Sequence, residues 1–87
     1  MTEAQARERV RAFLVENFLY MRPDFAFKDD ESLLKAGVVD SLGVMEIISF
    51  MEETWGIEVP QDDITEDNFG TVKGIVGYAM RRGQEAA

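Results

Sequence analysis

The chain has 87 residues, 46% of them hydrophobic, with 17 acidic and 9 basic residues, no histidine and no cysteine, for a formal net charge of -8. That describes one small domain with a thin core, too small to hide a function in its interior but above the size at which disulfides or metals become obligatory. It excludes a disulfide framework, thiolate metal sites, redox thiols and a histidine-activated nucleophile, and its acidic balance disfavours nucleic acid and anionic membranes as partners.

The opening Met1-Thr2-Glu3-Ala4-Gln5 lacks the basic start and apolar run of a signal peptide, and no apolar stretch is long enough to span a bilayer, so a soluble, cytoplasmic monomer is expected. Thr2 with Gln5 three residues on fits a capping box, and Ala6, Val10, Phe13, Leu14 and Phe18 recur at helical spacing, predicting a first helix over about 3–19. Pro23 ends any continuation. From Met21 to Val39, Phe25, Phe27, Leu33, Leu34 and Val38 recur without a sustained period, which reads as a long ordered loop with a short turn around Ser32-Leu33-Leu34.

Asp40 is a good N-cap, and Val44, Ile47, Ile48, Met51 and Trp55 form the buried stripe of a second helix that starts at Ser41 and stops at Gly56. Trp55 reads as the largest buried anchor of the core. The opposite face carries Leu42, Met45, Glu46, Ser49 and Glu53, an exposed mixture of apolar and acidic groups beside the serine. After Val59-Pro60 a short helix or turn is expected over about 61–66, then a last helix over about 71–82 that buries Val72, Ile75, Val76, Ala79 and Met80. Arg81 and Arg82 at its end suit the negative pole of the helix dipole, and 83–87 reads as a flexible tail after a single domain over 1–82. The fold class is all-α: a small bundle of three main helices plus one short helix, with a long ordered loop between the first two.

Between Asp40 and Asp67 every charged side chain is acidic, and the basic residues all lie outside that window. The acidic stretch is not a calcium loop. Counting from Asp63, position six is Asn68 where glycine is needed, and position twelve is Gly74 where glutamate is needed. No metal site and no catalytic residues are expected. Ser41, in the run Gly37-Val38-Val39-Asp40-Ser41-Leu42, stands at the mouth of a helix without a base to activate it. A serine so placed is suited to be modified by another enzyme, which needs only exposure and a docking surface.

These residues resemble the acyl carrier protein superfamily of acyl, peptidyl and D-alanyl carriers. The resemblance rests on Gly37 to Leu42, Glu46 five residues past Ser41, the pair Glu52-Glu53 before an aromatic, the exit Ile57-Glu58-Val59-Pro60, and the apolar pattern of Phe69, Val72, Ile75 and Tyr78. It implies a phosphopantetheinyl transferase that, with Mg²⁺, moves 4'-phosphopantetheine from coenzyme A onto the Ser41 hydroxyl. Acyl or aminoacyl groups would then ride on the arm's thiol as thioesters. It also implies that Asp40, Leu42, Met45, Glu46, Glu52 and Glu53 meet the transferase, a loading ligase and downstream biosynthetic enzymes through their basic patches.

Gly43 stands where fatty-acid carriers commonly have aspartate, so one acidic docking contact is missing, and Ser49 and Phe50 also depart from that pattern. Peptidyl carriers usually have paired glycines where this chain has Val38-Val39-Asp40. The expectation is a free-standing carrier, not itself an enzyme, serving lipid, polyketide-like or other specialised biosynthesis. The order Ser-Leu-Gly is similar to D-alanyl carriers, which an adenylating ligase loads. The competing reading is a non-covalent acidic adaptor that binds a basic protein partner and in which Ser41 is only a helix residue.

Overall fold

A computed structural model describes residues 2–22 and 24–86, with side chains as far as residue 83. Its elements are helices α1 (Glu3–Phe18), α2 (Ser41–Trp55), α3 (Glu66–Phe69) and α4 (Val72–Ala86), with a 3-10 turn at Gln61–Asp63 and no strand among the described residues. The all-α bundle with a long first loop is as expected.

α1 starts where its cap chemistry says it should. Thr2 Oγ1 accepts from the Gln5 N–H at 3.1 Å while Gln5 Oε1 accepts from the Thr2 N–H at 2.9 Å, closing the capping box. Its buried residues Ala6, Val10 and Leu14 repeat every four positions and pack chiefly against α4. The helix stops at Phe18, well before Pro23, which lies outside the described residues.

The loop from Tyr20 to Asp40 is held by both its side chains and its backbone. Phe27, Leu33, Val38 and Val39 are buried in the common core. Leu33 N–H donates to Gly70 O at 2.8 Å, and Lys73 N–H donates to Asp29 O at 2.8 Å, so the loop is stitched to α4 and to the turn before it. On the other side, Arg7 Nε and Arg11 Nη1 both donate to the Asp29 carboxylate, and Arg11 Nη2 reaches Phe27 O at 2.8 Å. Those two guanidinium groups, the Arg7 hydrogen bond first, hold the Asp29 carboxyl below the ordinary carboxylate value.

Several expectations need correcting. Trp55 is half-buried and not the principal anchor: as the last residue of α2 it sits at the rim, edge-on to Phe50 at 5.6 Å, while Phe69 leads the fully buried side chains. The short helix or turn expected over about 61–66 is a 3-10 turn at 61–63 followed by a separate helix, because Ile64 leaves helical geometry (φ -81°, ψ 85°) and Thr65 then caps α3 through the Asn68 N–H. Helix α4 runs past its expected end near Arg82 to Ala86; Ala87 lies outside the described residues. Arg81 and Arg82 are therefore not in its last turn. Instead, Arg81 lies over the Tyr78 ring and Arg82 Nη2 reaches Glu58 O at 3.2 Å.

Candidate functional site

Ser41 is the first residue of α2, and it is exposed. The turn that presents it is built from the sequence just before it. Asp40 is extended (φ -110°, ψ -173°), its Oδ1 accepts from the Gly43 N–H at 2.8 Å, and its own carbonyl takes the Val44 N–H at 3.1 Å. Two of the helix's early N–H groups are thus satisfied by Asp40. Those of Ser41 and Leu42, closest to the hydroxyl, have no acceptor of that kind in the first turn. Upstream, Val38 and Val39 are buried and both donate to Leu33 O, at 2.9 and 3.3 Å, while Arg22 Nη2 donates to Gly37 O at 3.0 Å. The serine therefore stands on an anchored stem at the electropositive end of a fifteen-residue helix.

The expected docking residues separate into two groups. Asp40, Ser41, Leu42, Met45, Glu46 and Glu53 are all exposed along one face of α2, with Leu42 at 75% and Met45 at 50%. Glu52 belongs elsewhere: it is half-buried, and its Oε2 accepts from the Val59 N–H at 3.2 Å, fastening the chain after the helix. Gly43 is a packing position. A Cβ there would come within 3.0 Å of both Phe18 Cε1 and Val39 Cβ, so the start of α2 rests on the end of α1 through the missing side chain.

Two grooves flank the exposed ridge of α2, and their walls contain residues the sequence did not single out for function. On the α3 side, Leu34, Val44, Ile64 and Phe69 line a hollow of about 230 Å³ with Ser41 at its edge. On the α1 side, Phe13, Asn17, Met45, Glu46, Phe50 and Glu53 line one of about 380 Å³, whose floor is the stacked pair Phe13–Phe50 (centroids 4.3 Å apart, planes 16° apart). No sequence signal paired Phe13 with Phe50, which lie on different helices and carry no mutual signature. Among the described residues no cluster of acidic side chains is placed to hold a metal ion. None of the described helices is long and apolar enough to cross a membrane.

An exposed serine at a helix mouth, capped by aspartate and preceded by a buried loop, is the architecture of a prosthetic-group carrier. The sequence pattern of the family described as "Phosphopantetheine attachment site" matches residues 13–79, and the chain belongs to that family. D-alanyl carrier proteins of Streptococcus pyogenes, from serotype M5 (strain Manfredo), serotype M49 (strain NZ131) and serotype M1, are each 47% identical over 47 residues, 54% of this chain. The match spans 60% of the length of those relatives. The group the family implies is a covalently attached 4'-phosphopantetheine, and the site fits it: an unhindered hydroxyl, helix N–H groups beside it to face a phosphodiester, and an apolar groove next to the serine.

Proposed function

We propose that the chain is a carrier protein that holds acyl or aminoacyl intermediates on a 4'-phosphopantetheine arm attached to Ser41, within a single carrier domain, and is acted on by other enzymes without turnover of its own. One observation carries the reading: inside the family-matched segment, Ser41 is the exposed hydroxyl at a capped helix start. When bound, the group supplies a terminal thiol for thioester formation, the reactive sulfur that a chain without cysteine lacks. Asp40 fixes the backbone of the first turn and so the place from which the Ser41 side chain projects, and the Ser41 and Leu42 N–H groups stabilise a phosphate there. Leu42, Met45, Glu46 and Glu53 form the face that a transferase and a loading ligase with basic patches would meet.

The 47% identity to D-alanyl carriers favours an amino acid over a fatty acyl chain as cargo, loaded by an adenylating ligase. The buried position of Gly43 agrees with this: the first turn of α2 offers no acidic side chain there. The test is intact mass after incubation with coenzyme A, Mg²⁺ and a broad-specificity phosphopantetheinyl transferase, with Ser41→Ala in parallel. A gain of one phosphopantetheine in the wild type alone is expected. Modification of Ser41→Ala would overturn Ser41 as the attachment point, and none of a folded wild type with a transferase from the same source would overturn the carrier reading and leave the acidic adaptor. Offering the modified protein D-alanine or a fatty acid, each with ATP and its ligase, then separates the two cargo classes.

A further inference from the structure

With no cysteine and no histidine, the chain's strongest side-chain nucleophiles are the amines of Lys28, Lys35 and Lys73. All three are exposed, and no lysine occurs from 36 to 72. They are not placed alike. Lys73 belongs to the α1–α4 flank, where it lines a hollow of about 220 Å³ with Glu3, Arg7 and Asp29. Lys28 adjoins the same clasp as the chain neighbour of Asp29, and its N–H donates to Glu31 Oε1 at 2.9 Å. No residue of that hollow lines the hollows that reach Ser41 or Asp40.

Lys35 lies on the serine's side. Its neighbour Leu34 is a wall of the hollow of about 230 Å³ that has Ser41 at its edge. The turn that carries it is fixed: Lys35 N–H donates to Ser32 Oγ at 3.3 Å, Gly37 N–H to Leu34 O at 3.2 Å, and the Val38 and Val39 N–H groups to Leu33 O. The turn bearing Lys35 and the stem bearing Ser41 are thus one hydrogen-bonded unit. Even fully extended, the six residues between these positions would span at most about 20 Å, and the turn shortens that. The ion pairs among the described residues join Asp29 to Arg7 and Arg11, which leaves the Lys35 ammonium without a carboxylate partner there.

We infer that Lys35 is a self-acylation site, to which an acyl or aminoacyl group held as a thioester at Ser41 passes within one molecule. The inference rests on the carrier reading. The neutral Lys35 amine attacks the thioester carbonyl carbon; a C–N bond forms, the C–S bond breaks, and the sulfur leaves with the proton the amine gives up. An amide on Lys35 and a free thiol result, with no further reactant. A tether gives an amine within its span an effective concentration of about 1 mM and gives one beyond it almost none, so placement selects Lys35 over Lys28 and Lys73. The amide no longer exchanges with thiols, so the transfer withdraws the cargo from downstream enzymes and sets a lifetime on the loaded carrier.

The test loads the full chain with acetyl-phosphopantetheine from acetyl coenzyme A, Mg²⁺ and a broad-specificity transferase, then incubates it at micromolar concentration and mildly alkaline pH. Transfer leaves the intact mass unchanged, so hydroxylamine, which cleaves the thioester and spares the amide, is added before mass measurement and peptide mapping. The expected result is hydroxylamine-resistant acetyl on Lys35, at least about tenfold above that on Lys28 or Lys73, with a yield independent of protein concentration. Lys35→Arg, which keeps the charge, is expected to lower the resistant acetyl about tenfold, and Lys73→Arg to leave it as it is. Acetyl spread evenly over the three lysines, a yield that rises with protein concentration, or thioester loss by hydrolysis alone would overturn the proposal. Loading is read separately beforehand: a folded wild type that takes up no acetyl-phosphopantetheine overturns the carrier reading and this one with it, whereas a loaded protein without amide at Lys35 overturns self-acylation alone.

Discussion

At the scale of single residues, what matters most around the serine is a side chain that is missing. Gly43→Asp would restore an acidic group at the third position of α2, where a helix dipole gains about 0.3–1 kcal/mol from a carboxylate. Against that, the new Cβ meets Phe18 and Val39 at 3.0 Å, and overpacking of this kind costs about 1–3 kcal/mol. The crowding wins, so Gly43→Asp is expected to lower stability, read as a lower urea midpoint with unchanged slope. Tyr78 makes a second residue-scale case. Its hydroxyl donates to Asp63 Oδ2 at 2.8 Å; burial first, and that hydrogen bond next, push its ionisation up from 10.0 to about 12. A raised value favours the protonated form in the folded state, so this contribution is full below pH 10 and lost as pH rises through about 12. Tyr78→Phe is expected to cost about 1–2 kcal/mol at neutral pH and to flatten the alkaline limb of a stability profile relative to wild type. Neither contact was legible in the sequence. Asp40 and Ser41 were, because cap chemistry is local, whereas Phe18 over Gly43 and Tyr78 on Asp63 join positions 25 and 15 residues apart that carry no mutual signature.

The helices show the same division between local and non-local information. The start of α1 and both ends of α2 were readable because each is set by a neighbouring residue: Thr2 and Gln5, Asp40, and Gly56. The end of α4 was not, since Gly83 resembles a stop signal yet the helix formers after it carry the turn onward to Ala86. The split at Ile64 was also hidden, because a 3-10 turn followed by a one-turn helix has the same composition as a single short helix. Gly56 gives the clean element-scale prediction. It closes α2 in the left-handed region (φ 65°), and a Cβ there would meet nothing within 4 Å, so Gly56→Ala isolates the backbone cost. That cost is about 1 kcal/mol. Thermal or urea unfolding is expected to show the loss. An unchanged or higher stability would mean that the end of α2 rewinds, which amide exchange at Ile57 and Val59 would reveal.

For the molecule as a whole, the long loop is what turns three helices into a platform, and Asp29 is the residue that joins it to the rest. Its side chain takes Arg7 and Arg11 from α1, and its carbonyl takes the Lys73 N–H from α4, so a single loop residue touches both helices of the main packing pair. Phe27 and Leu33, buried on either side of it, were recognisable as loop anchors from their hydrophobicity; the clasp was not, because an Arg7/Arg11 pair on a helix ordinarily reads as solvated surface. Asp29 keeps about a third of its side chain exposed, so the clasp belongs on the scale of partly screened pairs, about 1 kcal/mol or less. Its sign with pH is definite. The carboxyl is held below its usual 3.8, so the folded state favours the ionised form; the contribution is full above that value and fades as pH falls below it and the folded-state carboxyl takes up its proton. Asp29→Asn is therefore expected to destabilise at pH 7, read by urea unfolding, and the gap to wild type is expected to close in the acid limb. A gap that persists unchanged to pH 2 would mean that the side chain acts by packing and not by charge. Because the loop continues from Asp29 through Leu33 to the anchored stem before Ser41, the same variant should also lower amide protection at Val38 and Val39 at neutral pH, while a local effect confined to α1 would leave those amides as they are.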